Sequence, residues 1–242
     1  MKLNFDNIPK IVLNLKRRSD RLIKFQKEMD FMGWKYDVFE GIDTNSYEGC
    51  ALSHVQIAKN FLLNESDEFL LVMEDDLFFM PYSKKVIEEC QTELNNVEWE
   101  FFHFGPSIHR PLKKYNDILV DLNNLPPKDE NRHRGIFGTT AFILTKKSAE
   151  IISNWDTNLY IQNSHHQIPI DEYFDKVLYK KARSFCPYWL ITTQQNDFSD
   201  INKTFDNNHY LLTYNWNVYL PHKIPTQMLD FNYCNNLRNE EN

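Results

Sequence analysis

The chain has 242 residues, 42% of them hydrophobic and 14% aromatic, which suits a folded protein with a full core and excludes a disordered one. A formal charge of −7 with no lysine or arginine block argues against a nucleic-acid or anionic-membrane binder. No apolar run approaches the roughly 20 residues of a membrane span, and the six glycines form no phosphate loop, so P-loop and dinucleotide sites are set aside.

Met1–Asp6 lacks the apolar core of a signal peptide, so a cytoplasmic chain is expected, in the host cell if the source is viral. Lys10–Leu15 reads as a first strand, and Lys16–Arg21 is a basic loop at its tip, facing either phosphate or solvent. Ser19 is the expected N-cap of a helix with Leu22, Phe25, Met29 and Met32 at helical spacing, ended by Gly33. Tyr36–Phe39 follows as a short strand. Glu48–His54 then leads into a helix to about Leu63, with Leu52, Val55, Ala58 and Leu62 inward. His54 in its early turns is either a structural hydrogen-bonder or a ligand.

Phe69–Met73 is a short apolar run that ends in Glu74, Asp75 and Asp76. Such a run reads as a strand buried on both faces. Side chains alternate along a strand, which predicts Glu74 and Asp76 on one side and Asp75 on the other. Carboxylates beyond a strand's carboxyl end repel one another unless a cation or proton relieves them, and they are also the signature of a solvated loop.

Ser83 is the expected cap of Lys84–Leu94, and Trp99–Phe104 is a strand stopped by Gly105-Pro106. From 107 to 134 no periodicity survives, which reads as a long irregular loop. Gly138–Leu144 is a strand and Lys147–Trp155 a helix. Pro169 opens a helix to about Tyr179, where Asp171 and Glu172 suit the helix dipole. Phe185–Ile191 is a late strand, Gln194–Ile201 a polar loop, and 202–242 an aromatic-rich tail that packs back on the body. The alternation predicts one α/β domain over 1–242 with a mainly parallel sheet. Cys50, Cys90, Cys186 and Cys234 lie far apart without C-x-x-C spacing, as reduced cytosolic thiols do, and zinc is not expected.

Four stretches carry a resemblance. Ile11–Arg21 resembles the opening motif of glycosyltransferase family 25, which includes lipooligosaccharide and collagen galactosyltransferases. Gly49-Cys50-Ala51-Leu52-Ser53-His54 is similar to its G-C-x-x-S-H block, Leu71–Asp76 to its acidic motif, and Gly138–Leu144 with Pro169–Glu172 to its C-terminal half. The resemblance implies a GT-A type fold, a three-layer α/β/α arrangement. It also implies a UDP-hexose donor (galactose or glucose) and a divalent metal, typically Mn²⁺, although Mg²⁺ suits the same oxygens.

Under that resemblance, Asp76 is the first metal ligand, with Glu74 or Asp75 sharing metal and ribose duties, and His222 or His209 returns from the tail to the metal. Asn14, Leu15, Arg21, Ser53, His54 and Asp75 belong to the nucleotide-sugar pocket. Asp171 is the expected base toward the acceptor hydroxyl, and Asp200 its alternative. The acceptor is a glycan or a hydroxylysine-linked, collagen-type sugar, and oligomers are possible. Competing readings are an inactive nucleotide-sugar or sugar-binding module on the same fold and a two-metal phosphoryl-transfer enzyme. The latter would want more convergent carboxylates.

Overall fold

A computed structural model describes residues 2–44, 46–124, 135–156, 168–198, 205–206, 208–220 and 224–240. Its first unit is β1 (Lys10–Asn14), α1 (Ser19–Met32) and β2 (Asp37–Glu40), with Gly33 closing α1 at a φ of 74° that glycine adopts without strain. Then come α2 (Tyr47–Leu63), β3 (Leu70–Glu74), β4 (Leu77–Phe79), α3 (Ser83–Leu94) and β5 (Phe101–His103). Three short strands follow, β6 (Ser107–Ile108), β7 (Lys113–Lys114) and β8 (Leu119–Asp121), and then β9 (Ile136–Phe137) and β10 (Ala141–Leu144). The C-terminal part holds α4 (Lys146–Ser153), α5 (Ile170–Tyr173), a π-helical turn Phe174–Leu178, and α6 (Tyr179–Lys181). It continues with β11 (Ser184–Pro187), β12 (Thr192–Gln194), β13 (Asp197–Phe198) and β14 (Phe205–Asp206), and ends with α7 (Asn208–Tyr219), a 3₁₀ turn and α8 (Phe231–Glu240).

The main sheet has the order β2-β1-β3-β10-β5-β11-β8-β7. Strands β10 and β8 run against the rest, so the sheet is mainly parallel in direction. On one face Val72, Phe101 and Phe142 pack against α2 and α4 through Ala58, Phe61 and Ile152. On the other, Leu71, Met73 and Phe102 meet Phe25 and Met29 of α1 and Ile87 and Cys90 of α3. These are the three layers of the expected GT-A type α/β/α fold. Burial of β3 on both faces explains its unbroken apolar run: Leu70 to Met73 are all buried, each worth roughly 1.5–3 kcal/mol relative to exposure.

Several local expectations shift. Ser19 and Ser83 are the first helical residues rather than caps, and neither of those helices has a side-chain cap. Ser46 caps α2, and Thr145 with Ser148 forms a capping box on α4. In α2 the inward residues are Ala51, His54, Val55, Ala58 and Phe61, while Leu52 and Leu62 lie at the margin of the core. Packing against α4 as well as the sheet rotates the buried stripe. The segment 107–124, expected to be irregular, forms β6 to β8 and supplies one edge of the main sheet. Leu77–Phe79, not foreseen as a strand, pairs with β12. Among the described residues no helix is long and apolar enough to cross a membrane.

Candidate active site

The carboxyl ends of β1 and β3 meet the first turn of α1. Asn14, the last residue of β1, turns its amide inward and donates to the Arg18 carbonyl at 3.0 Å and to Asp75 Oδ2 at 2.7 Å. Arg21 Nη1 donates to Asp75 Oδ1 at 3.0 Å. Both oxygens of Asp75 are thus engaged within the protein. Burial still pushes its carboxyl above the ordinary range, against the pull of Arg21 and Asn14.

Glu74 turns the other way, toward α2. Its Oε1 accepts from Thr139 Oγ1 at 2.6 Å, from His54 Nε2 at 3.0 Å and from Cys50 Sγ at 3.7 Å. Burial alone would raise its pKa, but the His54 hydrogen bond and charge together with Thr139 hold it below the usual value. Alternation along the strand therefore separates Glu74 from Asp75 as expected. Asp76 lies past the end of β3, within 3.7 Å of Arg21, and so does not simply side with Glu74. Its Oδ2 takes a contact of 3.4 Å from the Gln194 amide. Its Oδ1 is buried and has no hydrogen-bond partner among the described residues. Burial and the neighbouring Glu74 charge push this carboxyl to about 8.

These groups line a cleft of about 660 Å³. Arg17, Arg18 and Arg21 line it, as do Asp171 and Glu172. Asp197 sits among basic groups, 3.0 Å from Lys24 Nζ, 3.4 Å from Arg18 and 3.6 Å from Arg21. Asp171 accepts from the Glu172 N–H at 2.8 Å. A helix start favours the charged carboxylate, but α5 is only one turn long, and burial outweighs the backbone donors and raises the Asp171 pKa.

Of the residues predicted from the sequence, Leu15, Arg21, Ser53, Glu74, Asp75, Asp76 and Asp171 line the cleft. His54 lies beneath the surface and meets the cleft through Glu74, and Asn14 through Asp75 and the Arg18 carbonyl. Ser53 spends its hydroxyl on the Gly49 carbonyl at 2.7 Å and the Ile42 N–H at 2.8 Å, tying the turn before α2. A Cβ at Gly49 would stand 2.3 Å from the Ile42 carbonyl oxygen, which accounts for glycine there. His209 is buried between Thr193 at 2.9 Å and the Met228 carbonyl at 2.9 Å, away from the carboxylates. Asp200 and His222 lie outside the described residues. The sequence reading missed Cys50, Thr139 and Asp197 as site residues. Cys50 and Thr139 were already inside the quoted motifs, whereas nothing in the polar stretch around Asp197 marks it.

One set of side chains and one single carboxylate oxygen could serve a metal ion. Cys50, His54 and Glu74 offer ligand atoms that all lie within 4.8 Å of one another. Asp76 Oδ1 offers a buried carboxylate oxygen without a competing donor, and hard divalent cations take such oxygens.

A cleft lined by carboxylates and arginines beyond the carboxyl ends of a mainly parallel sheet is the candidate active site. The sequence profile of glycosyltransferase family 25 (LPS biosynthesis protein) matches residues 44–174, more than half of the chain. The chain belongs to this family. Among solved structures it is similar to A197 from STIV, with 13% identity, 81% of this chain and 92% of that one covered, and a TM-score of 0.44. A glycosyltransferase involved in the glycosylation of the major capsid of PBCV-1 is similar at 12% identity, with 74% and 80% covered and a TM-score of 0.47. UDP-glucose pyrophosphorylase complexed with UDP-glucose is similar at 12% identity, with 74% and 91% covered and a TM-score of 0.44. No curated protein matches the chain.

Proposed function

We propose that the cleft transfers a hexose, galactose or glucose, from a UDP-sugar to a hydroxyl of a glycan or of a hydroxylysine-linked acceptor. The observation that carries this reading is the unpartnered, buried Oδ1 of Asp76 beside Glu74, in a cleft lined by both arginines and carboxylates. Asp76 and Glu74 would hold a divalent cation, Mn²⁺ or Mg²⁺, which when bound supplies positive charge against the leaving diphosphate. Arg17, Arg18 and Arg21 favour the diphosphate in the cleft by charge. Asp75 keeps Arg21 in place through its hydrogen bond.

Asp171 takes the proton of the acceptor hydroxyl. Its burial raises the carboxyl above its ordinary pKa and so strengthens it as a base. A base on the acceptor side fits inversion at the anomeric carbon. Asp200 is the alternative base.

The test is UDP release from UDP-galactose and UDP-glucose with Mn²⁺, with and without a panel of saccharide and galactosyl-hydroxylysine acceptors. Turnover that stops on chelation, and falls at least ~10²-fold in Asp171→Asn, is the expected result. UDP–Mn²⁺ binding without turnover on any donor would instead favour a binding module on this scaffold.

A further inference from the structure

His103, in β5, does not line the cleft and is 0% exposed. Its Nε2 lies 2.9 Å from the Gly138 carbonyl oxygen, and its Nδ1 lies 3.3 Å from the Gly105 backbone nitrogen. A carbonyl only accepts and an amide N–H only donates. The two contacts together assign the tautomer: Nε2–H donates to Gly138 and Nδ1 accepts from Gly105. Burial holds the imidazole down to about 4, so the ring stays neutral and both contacts persist at physiological pH.

Gly138 is the residue after β9 and precedes the turn into β10. Its φ of 91° belongs to glycine, and a Cβ there would meet nothing closer than the Ser107 nitrogen at 3.7 Å. Backbone conformation rather than crowding sets this position. The segment it controls bears on two carboxylates of the site. The Gly138 N–H faces Asp171 closely enough to favour its charged form. One residue on, Thr139 Oγ1 donates to Glu74 at 2.6 Å, and the Thr140 carbonyl accepts from the Glu74 N–H at 2.8 Å.

We propose that His103 is a positioning residue of the transferase. By holding the Gly138 carbonyl, it fixes the one backbone segment that presents Thr139 to Glu74 and the Gly138 N–H to Asp171. The assignment rests on the reading of the cleft given above. It joins the carboxylate on the donor side and the carboxylate on the acceptor side through a single imidazole that touches neither substrate. Groups that orient functional carboxylates from behind typically change affinity or activity by roughly 10–100-fold when removed.

The experiment compares His103→Gln, whose amide nitrogen can replace the Nε2 donor, with His103→Leu, which has no donor. UDP–Mn²⁺ affinity is read by calorimetry, and kcat and donor KM by UDP release. His103→Leu is expected to lose roughly 10–100-fold in kcat and about 10-fold in UDP–Mn²⁺ affinity, with His103→Gln recovering to within a few-fold of the unsubstituted chain. Equal losses in both variants, or unchanged kinetics per folded molecule in His103→Leu, would overturn the assignment. If His103→Leu does not fold, Thr139→Val replaces it. The valine must then lower UDP–Mn²⁺ affinity while leaving the thermal midpoint within a few degrees, and an unchanged affinity overturns the proposal. If the unsubstituted chain neither binds UDP–Mn²⁺ nor releases UDP, the transfer reading fails separately. The Gly138 and Thr139 amide resonances then decide on His103, because they should move in His103→Leu and stay in His103→Gln. Shifts that are alike in the two variants overturn it.

Discussion

Two carboxylates near the two ends of β4, Glu28 buried and Asp76 partly so, differ in what surrounds them. Glu28, in α1, is 4% exposed and has both oxygens satisfied: Arg238 Nη1 lies 3.0 and 2.8 Å away, and the Phe79 N–H donates at 2.9 Å. The Arg238 guanidinium is itself packed against the rings of Phe31 and Phe78, at 4.1 and 4.8 Å. Asp76 lies three residues before Phe79 and has one buried oxygen with no partner among the described residues. Burial raises the pKa of both. The contrast is therefore in hydrogen bonding. A buried carboxyl that the protein satisfies with its own groups holds elements together, whereas one left short of partners is available to a ligand.

The contrast can be broken most severely at the satisfied pair. Arg238→Met leaves Glu28 buried and unpaired, and should cost about 3–5 kcal/mol of stability. Urea unfolding measures this, and kcat per folded molecule should hold within a few-fold. Pairing the change with Glu28→Gln should recover part of the loss, since a neutral amide is cheaper to bury than a lone charge. At the other carboxylate the effect should invert. Asp76→Asn should reduce turnover by roughly 10²–10³-fold, about 3–4 kcal/mol in the barrier, with unfolding unchanged or slightly improved because a carboxyl short of partners has been replaced by a neutral amide. A large stability loss in Asp76→Asn would place it with Glu28 and undo the comparison.

His103 supplies the smallest effect and a third case, a buried titratable group satisfied as a neutral species. Its folded pKa of about 4 lies below the ordinary 6.5. Above pH 6.5 neither the folded nor the unfolded chain holds the proton. Between 6.5 and 4 the unfolded chain binds it and the folded chain does not, so stability falls as pH falls through that window, by at most ~3 kcal/mol. Thermal unfolding at pH 7 and pH 4.5 should show the loss, and His103→Gln should flatten that part of the slope.

How much of this was legible before the structure follows from range. The strands β1, β3 and β10 are short apolar runs with polar ends, and their own residues announce them. The acidic triplet could be located for the same reason. Its internal division could not, because it depends on partners far along the chain: Asn14 and Arg21 for Asp75, and His54 and Thr139 for Glu74. Nor could β6 to β8, since strands of two or three residues carry no period to detect. Asp171 was found through its motif, but the upward shift of its carboxyl was not legible, because burial cannot be seen in a helix-start pattern. His103 drew no notice. A histidine in an apolar strand becomes informative only when its two carbonyl and amide partners are known.

Strand β10 lies between β3 and β5, although both precede it in the chain. Until residues 141–144 have been synthesised and inserted, β3 has no partner on its β10 side and β5 none on its β3 side. Two unpaired hydrophobic edges of this kind are a template for pairing with another chain. The insertion that closes the gap also delivers Thr139 and the Thr140 carbonyl to Glu74. Closing the sheet and completing the site are thus one folding event, and substitutions that slow the entry of β10 should appear as lost solubility before they appear as lost affinity.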